Sequence, residues 1–98
     1  MSVDVLTPAM TECKNLLQSV GETFWSQKIE TFLSLRTENI SADDAREVMT
    51  WFGGMGSFND LMISAVNGHN VKPEDEDRYG HDLDHLRDTI YNEAKGIL

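Results

Sequence analysis

Apolar residues recur three and four positions apart over much of this chain, and that periodicity restricts its fold more than any other feature. Near the start, Leu6, Met10, Cys13, Leu17 and Val20 are separated by 4, 3, 4 and 3 residues. Near the end, Tyr79, Leu83, Leu86, Ile90, Ala94 and Ile97 are separated by 4, 3, 4, 4 and 3. Each set falls on one stripe of a helix turning once in about 3.6 residues. No segment alternates apolar and polar residues convincingly, so a lone strand has no partner to pair with. The pattern predicts an all-α fold, a compact bundle of four to five helices in a single domain, with residues 1–6 as a loose N-terminal segment.

The ends of the helices can be read from local chemistry. The first is expected over Pro8–Val20, with Thr7 as N-cap, Pro8 at the first helical position and Gly21 just past the end. A second is expected over Glu22–Leu35, with Trp25, Ile29, Phe32 and Leu33 facing inward and Phe24 broadening that face. Arg36 to Ile40 is a loop with one apolar anchor. Ser41-Ala-Asp-Asp reads as a capping box opening a third helix, with Asp44 in place of the usual Glu and with Ile40 and Ala45 placed as a hydrophobic staple. Ala45, Val48, Met49 and Phe52 form its stripe, and Gly53 stops it. Ser57-Phe-Asn-Asp repeats the cap pattern and predicts a short fourth helix over 58–66, although the run Leu61 to Val66 is short enough to be read as a strand. Asn67 to Lys72 is a loop. Pro73 starts the last helix, with Glu74, Asp75 and Glu76 in its first turn and Gly80 as a point where it could break.

The chain has 98 residues and a single cysteine, so no internal disulfide holds it and stability rests on the apolar core. A chain of this length buries roughly 60–68 % of its unfolded surface. The start, MSVDVLTPAM, has no basic stretch and no long apolar run, so it does not read as a secretory signal. No window reaches the roughly 18 apolar residues of a membrane span, and a cytoplasmic protein without a membrane association is expected. Seventeen acidic against eight basic residues give a net charge of −9. Such a surface repels phosphate backbones, which argues against direct nucleic-acid binding, and attracts a basic partner.

Between the third and fourth expected helices lies the glycine-rich corner Gly53-Gly54-Met55-Gly56-Ser57-Phe58-Asn59-Asp60. A glycine turn feeding a helix N-terminus can cradle an anion through free backbone N–H groups. The phosphate-loop pattern needs a Lys-Ser/Thr pair and a preceding strand, and both are missing here. The simpler reading is a sharp turn between two helices, with glycines permitting positive φ and close backbone approach. Ser57 is a poor candidate nucleophile, because G-x-S-x-G is absent and nothing in the spacing supplies a base. Asn59 and Asp60 read as braces of the loop.

His81 and His85 share a helix face with Asp88, the best metal-like arrangement, but His-x₃-His without a third ligand of defined spacing is a weak signal. That face lies away from the apolar stripe, so the alternative is a solvated surface. No catalytic set, metal or cofactor is expected. Cys13 lies on the apolar stripe and reads as inert core. The stretch from Glu74 to Asp88 carries Glu74, Asp75, Glu76, Asp77, Asp82, Asp84 and Asp88 against two arginines, net −5 in fifteen residues. It reads either as a solubilising helix start or as a docking face for a basic protein surface.

Gly54-Met55-Gly56-Ser57-Phe58-Asn59-Asp60-Leu61 behind an aromatic segment, with Trp25 in GETFWSQKIE and Tyr91, resembles a small bacterial family of uncharacterised helical domains. The resemblance runs from about Leu16 onward. It implies a helical fold and brings no catalytic residues. In size and acidity the chain is also similar to immunity proteins that neutralise bacterial toxins. The function expected from these features is non-enzymatic protein binding, most simply inhibition of a basic toxin through the acidic residues of 74–88, assisted by exposed backbone and Asn59 of the corner. Charge reversal at Asp82, Asp84 and Asp88 is expected to weaken such capture. Two other classes stay open: a small anion-, nucleotide- or metal-binding domain, with or without catalysis, centred on Gly53 to Asp60, and an acidic mimic of nucleic acid. Oligomeric state is not fixed by the sequence.

Overall fold

The computed structural model describes residues 5–35, 40–53 and 57–98. Gly54, Met55 and Gly56 of the corner, the loop residues 36–39 and residues 1–4 lie outside the described residues. The four α-helices are α1 (Leu6–Ser19), α2 (Thr23–Leu35), α3 (Ala42–Thr50) and α4 (Glu76–Ile97), and no strand occurs among the described residues. The fold is all-α. α1 packs against α2 and α4, and α3 packs against α4.

The stripes read from the spacing are the ones that meet. Leu6, Met10, Cys13, Leu17 and Val20 are all buried, and they share one core with Ile29 and Phe32 of α2, Ala45 and Val48 of α3, and Leu83, Ile90 and Ala94 of α4. α1 starts two residues before Pro8, at Leu6, and its N-cap position is Val5, with no side-chain cap. Leu6 therefore belongs to the helix and the core and is not part of a loose segment. At the other end Gly21, at φ 76°, is left-handed. Its N–H donates to the Gln18 carbonyl at 3.1 Å, and the Glu22 N–H donates to the Leu17 carbonyl at 2.9 Å. These two bonds make a Schellman stop, which needs a residue free of Cβ strain at that position.

Glu22 is the cap of α2 rather than its first residue, since its carboxylate Oε2 accepts the Trp25 N–H at 3.1 Å. Phe24 points outward and is 66 % exposed, so it does not broaden the inner face. The capping box of α3 forms as the sequence suggests. Ser41 Oγ accepts the Asp44 N–H at 3.1 Å, and the Asp44 carboxylate accepts the Ser41 N–H at 3.0 Å. α3 ends at Thr50, before Gly53, whose φ is not positive. Trp51, just past the helix, is buried along with Ala45 and Val48, while Met49 and Phe52 are half-buried.

The expected helix over 58–66 does not form. In its place are two three-residue 3₁₀ turns, Phe58–Asp60 and Ala65–Asn67, with an extended stretch between them. Ser57 occupies the N-cap position of the first turn but makes no side-chain cap bond. The reason lies outside the segment. Its backbone groups are taken by distant side chains, which removes the gain from closing helical bonds. Arg87 Nη1 donates to the carbonyls of Phe58 and Leu61, both at 2.8 Å, and Asn67 Nδ2 donates to the Met62 carbonyl at 3.0 Å. The Ser64 N–H donates to His69 Nδ1 at 3.0 Å, and the Ala65 N–H donates to Glu76 Oε2 at 2.9 Å. Gly68, at φ 88°, closes the second turn.

The last helix is entered by a 3₁₀ turn over Pro73–Asp75 and then runs unbroken for 22 residues, straight through Gly80. Ile97, at the end of the expected stripe, is 38 % exposed.

Candidate protein-docking face

Three rings form the centre of the molecule next to the corner. Phe58 is fully buried, with its ring centroid 4.8 Å from Trp25 and 6.3 Å from Trp51. Phe52 lies 5.5 Å from Phe58 and 5.3 Å from Tyr91 of α4, both edge to face. Such offset and edge contacts suit the ring quadrupoles. The Phe58 N–H donates to the Trp51 carbonyl at 2.7 Å, so the two flanks of the corner are tied together even though its middle is not described. Asn59 is exposed and Ser57 half-buried. Phe58–Asp60 is a single 3₁₀ turn, so the helix macrodipole that an anion cradle draws on has no α-helix to supply it at this point. No hydrogen bond joins a histidine to Ser57 among the described residues.

Arg87 links the corner to α4. Its position follows from the register: residues 83, 87, 90 and 94 form one buried line, and Arg87 is 7 % exposed. Nη1 holds the two carbonyls already named, Nη2 pairs with Asp84, and the guanidinium lies 5.9 Å from the Phe58 ring. Its Nε has no hydrogen-bond partner among the described residues. In sequence this arginine stands only as one of two positive charges within an acidic stretch. Its spacing from Leu83 and Ile90 was the signal that it points inward.

His69 is the second side chain that the sequence reading missed. It is buried and sits between two segments distant in sequence. Since Nδ1 accepts the Ser64 N–H, the ring proton is on Nε2, which donates to Glu22 Oε1 at 3.0 Å. The Asn70 N–H adds a bond to the Val20 carbonyl at 2.7 Å. Together these clamp the irregular stretch after the corner onto the α1–α2 junction. No local pattern announces a pair 47 residues apart.

The seven acidic residues of 74–88 divide by what they do. Glu76 is turned inward, where Oε2 accepts the Ala65 N–H and, at 3.4 Å, the Ser64 hydroxyl. Asp75 pairs with Arg78 at 3.7 Å, and Asp84 pairs with Arg87 while its side chain stays 69 % exposed. Glu74, Asp77, Asp82 and Asp88 are exposed and make no ion pair or hydrogen bond among the described residues. At 100° per residue Asp77, His81, Asp84 and Asp88 fall on one side of α4, while Asp82 lies on another. Asp77 to Asp88 spans about 16 Å of helix. His81 and His85 are exposed, and no group of three His, Cys, Asp or Glu side chains able to hold a metal occurs among the described residues.

At its C-terminal end this acidic ridge meets the corner. Phe52, Asn59, Asp88 and Tyr91 line a shallow pocket of about 300 Å³. A larger groove of about 450 Å³ lies along α2 next to α3, lined by the exposed Phe24 and Leu35 with Lys28 and Glu47. Lys28 Nζ lies 5.7 Å from the Trp25 ring and 6.0 Å from the Trp51 ring, a cation over the aromatic centre.

Cys13 is completely buried in α1. Burial pushes its thiol up to about 12, against a smaller downward pull from the Arg87 charge, so no thiolate is available for chemistry at neutral pH. No described helix is long and apolar enough to cross a membrane.

No match was found among curated proteins or among solved structures. The model of one family, described as a domain of unknown function (DUF6966), matches residues 18–72. The match takes in Glu22, the corner and His69, and it ends before α4 with its acidic ridge. It spans more than half of the 98 residues, and the chain belongs to this family of domains of unknown function.

Proposed function

We propose that this chain is a non-enzymatic protein-binding domain that captures a basic protein through the exposed side of α4, in the manner of an immunity protein neutralising a basic toxin. One observation carries the reading. The carboxylates of Asp77, Asp84 and Asp88 stand in line on one side of a continuous helix, and that line runs into the corner at Asn59. A net charge of −9 adds long-range attraction for a positive surface. Complementary charge speeds encounter and disfavours wrong partners, which suits an inhibitor that must reach its target before damage is done.

The acids that do structural work are excluded from the recognition set. Glu76 caps the 65–67 turn, and neutralising it would disturb the fold rather than the surface. The set that remains is Asp77, Asp82 and Asp88, with Glu74 at the helix entry and Asp84 contributing the charge left over from its pair with Arg87.

The test is co-expression with the products of the neighbouring reading frames, scored by growth and by capture on the tagged chain. The expected result is one toxic, basic neighbour whose toxicity the chain removes, with protection lost in the D77K/D82K/D88K variant. Protection undiminished in that variant contradicts the acidic face, and neighbours that are neither toxic nor bound contradict the inhibitor reading.

A further inference from the structure

The pocket where the ridge meets the corner has a composition that the rest of the acidic surface lacks. Asp88 supplies a carboxylate that is exposed and has no partner among the described residues. Phe52 and Tyr91, both half-buried, supply two rings fixed edge to face with centroids 5.3 Å apart. Asn59 supplies an amide whose carbonyl can accept an N–H. The two rings are held by ring contacts, and the carboxylate by the helix that carries it. Phe52 leans on the buried Phe58 at 5.5 Å, and Asp88 and Tyr91 stand one turn apart on a helix anchored by Arg87.

A carboxylate beside aromatic faces is suited to a planar cation. A guanidinium can form a two-point bond with the carboxylate while its face lies against a ring, whereas an ammonium is a compact, strongly hydrated charge that gains less from either contact. A ring pair next to a carboxylate also excludes water from one side of the cation, which strengthens both attractions. The other carboxylates on the outer surface of α4 have no such aromatic neighbours. Asp77 and Asp82 are open to solvent, and Asp84 is already occupied by Arg87.

We infer that the pocket formed by Phe52, Asn59, Asp88 and Tyr91 takes a single arginine side chain of the basic protein partner and is the anchor point of the acidic face. This assignment rests on the proposed function for the identity of the partner and adds where and by what chemistry the contact is made. Asp88 pairs with the guanidinium, the Tyr91 ring packs against its face with Phe52, set edge to face to that ring, closing the side, and Asn59 accepts one remaining N–H. The ridge at Asp77, with Asp82 on a neighbouring exposed side of α4, then steers the approach and contributes little once the arginine is seated.

The test uses the isotope-labelled full chain titrated with two capped peptides of equal charge, Ac-Gly-Arg-Gly-Arg-Gly-NH2 and Ac-Gly-Lys-Gly-Lys-Gly-NH2, followed by NMR. The expected result is that the arginine peptide shifts the Asn59 side-chain amide and the backbone amides of Asp88 and Tyr91 most. Asp88→Asn and Tyr91→Leu are each expected to weaken that peptide about fivefold, Asp82→Asn is expected to weaken it less than about twofold, and Glu12→Gln, at an exposed acid of α1, is expected to leave it unchanged. Circular dichroism confirms that each variant keeps the helical content of the parent, and Tyr91→Phe, which preserves the ring, is expected to bind like the parent. Equal binding of the lysine peptide overturns the choice of guanidinium. Shifts spread evenly along α4, with Asp82→Asn as damaging as Asp88→Asn, overturn the pocket and leave the acidic face as a diffuse docking surface. Absence of any response to either peptide, with the basic neighbour still captured, overturns the pocket alone; absence of both overturns the acidic-face reading with it.

Discussion

His69 shows how much one side chain can hold. Its ring accepts a backbone N–H from Ser64 and donates to the Glu22 carboxylate, which at its other oxygen caps α2. His69→Ala leaves the Ser64 N–H unpaired and the Glu22 carboxylate short of a donor, at a cost of about 1–3 kcal/mol. Chemical denaturation of the purified variant measures it, and a loss below about 0.5 kcal/mol means the clamp is ornamental. Cys13 makes a prediction about reactivity. With its thiol raised to about 12 by burial, it should stay unmodified by a thiol reagent in native buffer and react only as fast as the chain opens, with one equivalent consumed in denaturant. Neither residue's partners could be read from the sequence. That Cys13 belongs to the core follows from its spacing between Met10 and Leu17, but that His69 meets Glu22 depends on how the helices come together.

Among the elements, what was legible is what is decided locally. Ser41 and Asp44 are three residues apart, so their reciprocal bonds form as soon as the turn does, and the sequence pattern is enough to place the start of α3. Gly21 is likewise settled within its own turn by the left-handed φ that a Schellman stop needs. The same kind of pattern at Ser57 to Asp60 misled, because the carbonyls of Phe58 and Leu61 are claimed by Arg87, 29 and 26 residues away. Gly80 misled in the other direction. A glycine in mid-helix weakens the helix without ending it when both flanks are packed, as Leu83 is and as Tyr79 partly is. A Cβ on Gly80 meets nothing within 4 Å. Gly80→Ala should therefore stabilise the chain by about 0.5–1 kcal/mol. Gly21→Ala should do the opposite by about 1–2 kcal/mol, since alanine would be forced into the left-handed region. Thermal melts of the two variants should move in opposite directions.

For the whole molecule, the core and the candidate surface meet at Arg87. Its guanidinium fixes the corner from beneath while its partner Asp84 stays largely in solvent, so the alignment of α4 with Asn59 depends on it. Arg87→Met strips two carbonyls of their donor and should cost about 2–3 kcal/mol. It should also weaken partner capture although it removes no surface acid. That the chain is acidic and helical was plain from its composition and spacing. That its acids divide into structural, paired and exposed groups was not, because Glu76 is distinguished from Asp77 only by Ser64 and Ala65 coming within reach.

A basic protein is proposed to bind on the exposed side of α4, from Asp77 to Asp88. Calorimetric titration of the chain against the basic neighbour singled out by the co-expression test, at low and at physiological salt, checks this without intermediaries when run in parallel with the D77K/D82K/D88K variant. The predicted result is an affinity that falls steeply with salt for the parent, while the variant binds at least tenfold more weakly and has a flatter salt dependence. Equal affinities and equal salt slopes for the two proteins would contradict it.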